Sequence, residues 1–306
     1  MMNPAWLRAR RQTQMLADAL PYIRSLYAKT VVIHIGDHPG DDGQLMPALA
    51  RDIALLKLVG VKPIIVHGHD HDEQIHDTVL LRLRLINRNQ HLIDMINQYG
   101  SKAIGLTGQD GLCIHAIPAA PSTVLHMPHF ADISSIEAAV IHLLHSNDFV
   151  PVIAPLGTAP DGTLVPLSAN RLAALLARSL KADKLIDMLD QADFTHLTSL
   201  HRTLLTANEL ANRIKQGWAS RLPPSLRSLL DTAIDAVRTN VQTIHLIDRQ
   251  HPSALLLELL TSEGIGITIR SDHGPHFIAD STHYLDDDAC SVHGLPPRPP
   301  QRIVRF

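Results

Sequence analysis

The stretch Lys62 to Asp72, KPIIVHGHDHD, decides the fold. Ile64, Ile65 and Val66 form a short apolar run of the kind that makes a strand buried on both faces. Gly68 breaks it, and the loop that follows carries His67, His69, Asp70, His71 and Asp72 at or beside its start. A parallel α/β protein places ligands beyond the carboxyl ends of its strands, so this loop is where chemistry is expected. Thr30 to Ile35, TVVIHI, repeats the pattern and ends at Gly36-Asp37. Its His34 lies at the same edge if the two strands are neighbours.

Working outward, the 306 residues suffice for one large α/β domain or two lobes. Hydrophobic residues make up 45% and charged residues 19%, the proportions of an ordinary soluble globule. Lys and Arg number 27 against 30 Asp and Glu, a net charge of -3 that argues against nucleic acid and anionic membrane surfaces as partners. Small molecules and other subunits are the expected partners. Two cysteines, Cys113 and Cys290, are too few for a disulfide framework and fit a reducing compartment. The first residues are basic without an apolar core followed by small residues, and no apolar run reaches membrane-spanning length, so a cytoplasmic location is expected.

The remaining periodicities give alternating strands and helices. Trp6 to Tyr27 has helical spacing, with Pro21 expected to kink it. Helices are expected over 45–58 and 77–99, two short strands at Ala103 to Leu106 and Leu112 to Ala116 around a tight turn, and a helix over Ser134 to Ser146 with Ser134 as N-cap. Val150 to Ala154 reads as a buried strand, and Ser168-Ala169-Asn170 opens a helix over 171–180. The second half continues with strands at 184–188, 243–247 and 265–269 and helices at 207–216, 226–238 and 253–260. Beyond Arg270 come histidines, Asp286-Asp287-Asp288 and LPPRPPQR, a loosely ordered tail or docking segment. The order of elements is that of an α/β protein.

Five blocks, ADALPYIRSLYAKTVVI, ARDIALLKLVGVKPIIVHG, MINQYGSKAIGLTGQDG, NDFVPVIAPLG and HPSALLLELLTSEGIG, together resemble the N-acetyl-L-glutamate kinases, amino acid kinase family enzymes of arginine biosynthesis. The similarity runs in register from about Leu16 to Ile269. It implies an open, mainly parallel sheet sandwiched by helices, preceded by the kinked helix. The implied organisation is an oligomerisation helix at 1–28, an acyl-amino-acid lobe at 29–183, a nucleotide-type lobe at 184–270 and a His/Pro-rich tail at 271–306. It also implies a homo-oligomer, dimer or hexamer through the leading helix, or a mixed oligomer with an authentic acetylglutamate kinase.

Where charge matters the chain departs from that pattern. Phosphoryl transfer needs cations on the migrating group. The family's first-strand lysine corresponds to His34, the second glycine of its loop to Asp37, and its later Gly-Gly-Gly loop to Gly68-His69-Asp70. The aspartate of Asn-Ala-Asp corresponds to Asn170, and the second lysine falls near Leu229. The hairpin whose arginine grips the acyl-amino-acid carboxylate is missing before Asn89. Gln191-Ala192-Asp193-Phe194 stands where a glycine-bearing nucleotide loop is expected. By the same resemblance Gly36, Gly68, His69 and Asn89 are substrate-binding positions, and Glu263, Gly264 and Gly266 match an arginine-binding block in which Ser253 replaces a histidine. Glu263 also reads as a solvated loop residue. The reading that follows is a kinase-like protein without phosphotransfer, acting as a regulatory or structural partner or a metabolite sensor. An active kinase, transferring the γ-phosphate of ATP with magnesium to the carboxylate of N-acetyl-L-glutamate, is the alternative.

The histidines offer a different chemistry. His34, His67, His69 and His71, with Asp70 or Asp72, supply imidazole and carboxylate ligands suited to zinc. Equally, His67 reads as a satisfied core residue and His69 and His71 as solvated. Cys113 reads as a small buried residue, and Gly105 to Gly108 as a turn and not a phosphate loop.

Overall fold

The computed structural model describes residues 4–36, 45–68, 77–117, 130–200, 204–262 and 264–272. In chain order the elements are α1 (Pro4–Leu26), β1 (Thr30–Ile35), α2 (Leu45–Leu58), β2 (Lys62–His67), α3 (Thr78–Gln98), β3 (Ala103–Leu106), β4 (Ile114–Ile117), β5 (Asp132–Ile136), α4 (Ala139–Ser146) and β6 (Val150–Ile153). They continue with β7 (Leu156–Thr158), β8 (Leu164–Pro166), α5 (Ala169–Ser179), β9 (Lys184–Leu189), α6 (Gln191–Thr198), β10 (Leu204–Thr206), α7 (Ala207–Lys215), α8 (Pro224–Thr239), β11 (Thr243–Asp248), α9 (Ala254–Leu260) and β12 (Ile267–Arg270).

β1, β2, β9 and β11 are each buried along all but their first residue, which is what strands covered by helices on both faces require. Alternate residues divide between two cores. Val32, Ile64, Val66 and Leu185 share one with Leu172, Ala173 and Leu176 of α5. Val31, Ile33, Ile35 and Ile65 share the other with Ile53 and Leu56 of α2, Leu92 and Ile96 of α3, and Leu255 of α9. The large sheet has eight strands in the order β10-β12-β11-β9-β1-β2-β6-β3. Its pairings are parallel except for β11 with β12. The sheet runs without a break through Lys184, because β9 lies beside β1 with Asp187 in register with His34.

From β1 the chain passes to β2 on one side and later returns to β9 on the other. The strand order therefore reverses between β1 and β9, which opens a crevice at their carboxyl ends. His34 and His67 fall at that edge, as neighbouring parallel strands demand.

Several local expectations are corrected. Residues 103–106 and 114–117 do not form a hairpin: β3 is the edge strand of the large sheet, while β4 belongs to a four-stranded sheet ordered β5-β4-β7-β8. Asp110 accepts from the Thr107 amide at 2.6 Å and its hydroxyl at 2.8 Å, closing a turn that redirects the chain between sheets. Ser134 caps no helix. It lies in β5, and α4 begins five residues later behind Ala138, whose side chain makes no cap. The leading helix continues through Pro21 to Leu26, which is buried. Nearly all of the His/Pro-rich tail, 273–306, lies outside the described residues. Among those described, no helix is long and apolar enough to cross a membrane.

Candidate functional site at the carboxyl edge of the sheet

β1 delivers His34 to the crevice, 5% exposed. Its Nδ1 lies 2.9 Å from Asp187 Oδ1 on β9, and its Nε2 lies 3.1 Å from the Gly68 carbonyl oxygen just past β2. Gly68 turns with φ +122, where a side chain is strained, and a Cβ there would press on Pro155 at 3.0 Å. The Gly68 amide donates back to Ile35 O at 3.1 Å. Three strands are thus tied at one point by a single imidazole.

His67, fully buried, faces a different set of groups. The Asn89 amide nitrogen on α3 donates to Val152 O at 2.9 Å and lies 3.1 Å from His67 Nε2. Nε2 therefore accepts and the ring proton sits on Nδ1, which has no hydrogen-bond partner among the described residues. Burial first, then the positive neighbours Arg88 and His34, push the His67 pKa down to about 3, so the ring is neutral. Asn89 is a buried bracket joining α3, β2 and β6, and its Oδ1 lies against Gly105, where a Cβ would collide with it.

On the far side of β9, Arg249 follows β11 and is 9% exposed. Its Nη1 donates to Gly36 O at 2.5 Å, and its own amide donates to Leu189 O at 3.0 Å. Ile35, Leu45, Met46, Leu49 and Met188 line a small pocket with it. Gly36, read as a substrate contact, thus lends its carbonyl to a protein guanidinium.

A profile of the amino acid kinase family matches residues 29–248. The chain belongs to the amino acid kinase family. It is 35% identical over 289 residues to an acetylglutamate kinase of Methylobacillus flagellatus, covering 85% of this chain and 97% of that one. A second acetylglutamate kinase, of Aromatoleum aromaticum, is 34% identical over 292 residues, with 85% and 95% covered. Among solved structures, an N-acetylglutamate synthase of Neisseria gonorrhoeae superposes with TM-score 0.69 at 20% identity, over 84% of this chain and 63% of the synthase. Giardia carbamate kinase superposes with TM-score 0.56 at 13% identity, over 80% and 99%. These structural likenesses support the fold alone: an open, mainly parallel amino acid kinase sheet between helices.

Within that family frame the other expected positions can be placed. Asn170 stands in the first turn of α5, where Ser168 caps by accepting from the Arg171 amide at 3.2 Å. Leu229, near which the second lysine was expected, is 5% exposed and packed in the core on α8. The nucleotide-loop position is a helix start: Asp190 accepts from the Asp193 amide at 2.8 Å and opens α6. The Asp190 carboxylate occupies that amide, one of those a phosphate at this helix start would use. His69, His71, Asp37 and Glu263 lie outside the described residues, and among those described no group of three or more His, Cys, Asp or Glu is placed to hold a metal.

Gly264 and Gly266, read as arginine contacts, pack on another acid, Glu258 of α9. Its Oε2 accepts from Ile265 N at 2.8 Å and Gly266 N at 2.9 Å, while Oε1 lies 2.6 Å from His245 Nδ1. Lys184 Nζ meets the opposite nitrogen of His245 at 3.0 Å. These contacts, with Asp187 and Arg249, escaped sequence reasoning. The signal for Asp187 was available, an acid inside the otherwise apolar LIDML of 185–189.

Proposed function

We propose that this amino acid kinase family member is an acetylglutamate kinase-like protein of arginine biosynthesis that binds a pathway metabolite without transferring phosphate. It serves as sensor or as regulatory partner in an oligomer, with itself or with an active acetylglutamate kinase. The observation that carries this reading is His34. A catalytic cation must present its donors to the phosphoryl oxygens, whereas both nitrogens of His34 lie on acceptors of the protein itself, Asp187 and Gly68 O. The buried Leu229 and the Asp190-capped start of α6 support the same conclusion.

The test pairs a coupled phosphorylation assay, with ATP-magnesium and N-acetyl-L-glutamate, with calorimetry of the full chain against N-acetyl-L-glutamate, L-arginine and ATP-magnesium. Binding of N-acetyl-L-glutamate or L-arginine without turnover is expected. Turnover above the background of a heat-inactivated sample removes the reading. The second reading, an active kinase, is favoured by one specific observation: the relatives matched over nearly their whole length are acetylglutamate kinases.

A further inference from the structure

The amino edge of the sheet, opposite the crevice, carries a chain of polar side chains that the crevice does not use. Lys184 opens β9 in register with Thr243 of β11. Its Nζ lies 3.0 Å from His245 Nε2 and donates to Thr243 Oγ1 at 3.3 Å. Thr243 Oγ1 is in turn 3.1 Å from that ring nitrogen. The opposite nitrogen, Nδ1, lies 2.6 Å from Glu258 Oε1 on α9 and 3.2 Å from Thr268 Oγ1 on β12. An amine within reach of an imidazole that a carboxylate holds from behind is the arrangement that activates a nucleophile. His245 and Glu258 are buried, whereas Lys184, Thr243 and Thr268 are half-buried, so the amine is the member that a small reagent reaches.

We propose that Lys184 is a nucleophile and the site of a covalent modification, its amine taking the acyl group of a small acyl phosphate with His245 as base and Glu258 orienting the ring. Nζ attacks the carbonyl carbon as the neutral amine. A C–N bond forms, the C–O bond to phosphate breaks, and phosphate leaves with that electron pair. The proton shed by nitrogen passes through His245 Nε2 to the departing phosphate, so the products are an amide on Lys184 and hydrogen phosphate. Phosphorylation of a carboxylate yields an acyl phosphate, so an active partner kinase would supply the donor class. That source rests on the proposed function; the reactivity of Lys184 does not.

The surrounding charges fit. Burial holds the Lys184 ammonium below the ordinary lysine value, against the attraction of Glu258 and Asp183. Asp183, just before β9, is itself engaged by Lys29 at 2.9 Å and by Gln242 at 3.1 Å. Burial lowers the His245 pKa too, with the hydrogen bond to Glu258 opposing it and the charge of Lys184 adding to it. Glu258, in spite of its burial, is held below the ordinary carboxylate value by His245 and the amides of Ile265 and Gly266. β12 adds Arg270, in register with Thr243. Lys184 and His245 thus share a proton that burial makes each of them a poor holder of, and either position keeps the free amine one transfer away. Acylation cancels the ammonium charge beside the loop whose amides Glu258 holds.

The experiment treats the full chain with acetyl phosphate at neutral pH and follows acetylation of each lysine by peptide mass spectrometry. Lys181, exposed and shortly before Lys184 in the chain, is the control, because access alone favours it. Lys184 is expected to acetylate about tenfold faster than Lys181, a modest share of what a positioned base contributes. Its rate is expected to level off at a lower pH than that of Lys181, because its amine is freed sooner. His245→Gln is expected to bring the Lys184 rate down to that of Lys181 or below, with circular dichroism unchanged. A wild-type rate at Lys184 equal to or slower than that at Lys181 overturns the proposal, and that measurement decides even if His245→Gln does not fold. A fast Lys184 in folded His245→Gln overturns it as well. Phosphotransfer from ATP to N-acetyl-L-glutamate by this chain would remove the proposed function and leave a fast Lys184 standing.

Discussion

Asp52 of α2 is the residue at which charge and burial conflict most plainly. It is 1% exposed, and burial drives its pKa up to about 6 against the opposing pull of Arg51, the Ser253 hydroxyl and the Leu256 amide. Arg51 is too distant, at 3.9 Å, to hydrogen bond Oδ1. A raised carboxyl pKa means that the folded state binds the proton more tightly than the unfolded state, so folding stability falls as pH rises from about 4 to about 6. Asp52→Asn, which keeps the shape and discards the charge, is expected to be more stable than wild type at pH 7 by up to ~3 kcal/mol and equal to it near pH 4. Urea unfolding at the two pH values measures the difference, and a gap independent of pH would refute the argument. Asn89→Ala tests the bracket. It strips donors from Val152 O and His67 Nε2, both buried, so a loss of about 1 to 3 kcal/mol is expected with the urea slope unchanged.

At the scale of elements, α7 shows how a helix start is written into the chain. Thr206 Oγ1 accepts from the Glu209 amide at 3.2 Å, and the Glu209 carboxylate accepts from the Thr206 amide at 2.9 Å, a complete capping box. Thr206→Ala is expected to cost about 1 kcal/mol, read as a lower urea midpoint. Such local signals explain what was legible. β1, β2, β9 and β11 follow from runs of aliphatic residues, and Asp77, which accepts from Val79 N at 2.7 Å, starts α3 where its pattern begins. The small sheet was not legible, because β7 and β8 are three residues each, too short to show a period. DISSI of β5 runs directly into a helical pattern and was absorbed by it. The site divides the same way. His34, His67 and Gly68 could be placed from strand ends alone. The role of Asp187 could not, because it depends on β9 lying beside β1, and 153 residues separate the two partners.

For the whole molecule, the question left by this arrangement is what covers α1. The helix is 23 residues long, about 35 Å, and reaches the body at its end, where Leu26 is buried. Met15 is 65% exposed, Leu16 73% and Leu20 44%, one apolar strip on successive turns. Exposed leucines scattered over a surface need no explanation, but grouped on one helix they favour association with a second helix of the same kind. The net charge of -3 spread over 306 residues offers little repulsion to oppose it. The expected outcome is that the full chain sediments as an oligomer and that Leu16→Lys with Leu20→Lys shifts it to smaller species. Because both positions face solvent within one chain, the double variant should keep its circular dichroism and its urea midpoint when compared at matched low concentration. Wild-type protein that sediments as a single chain at micromolar concentration would sink this prediction, as would a double variant whose mass is unchanged. Loss of fold in the variant would instead place the strip against the body of its own chain.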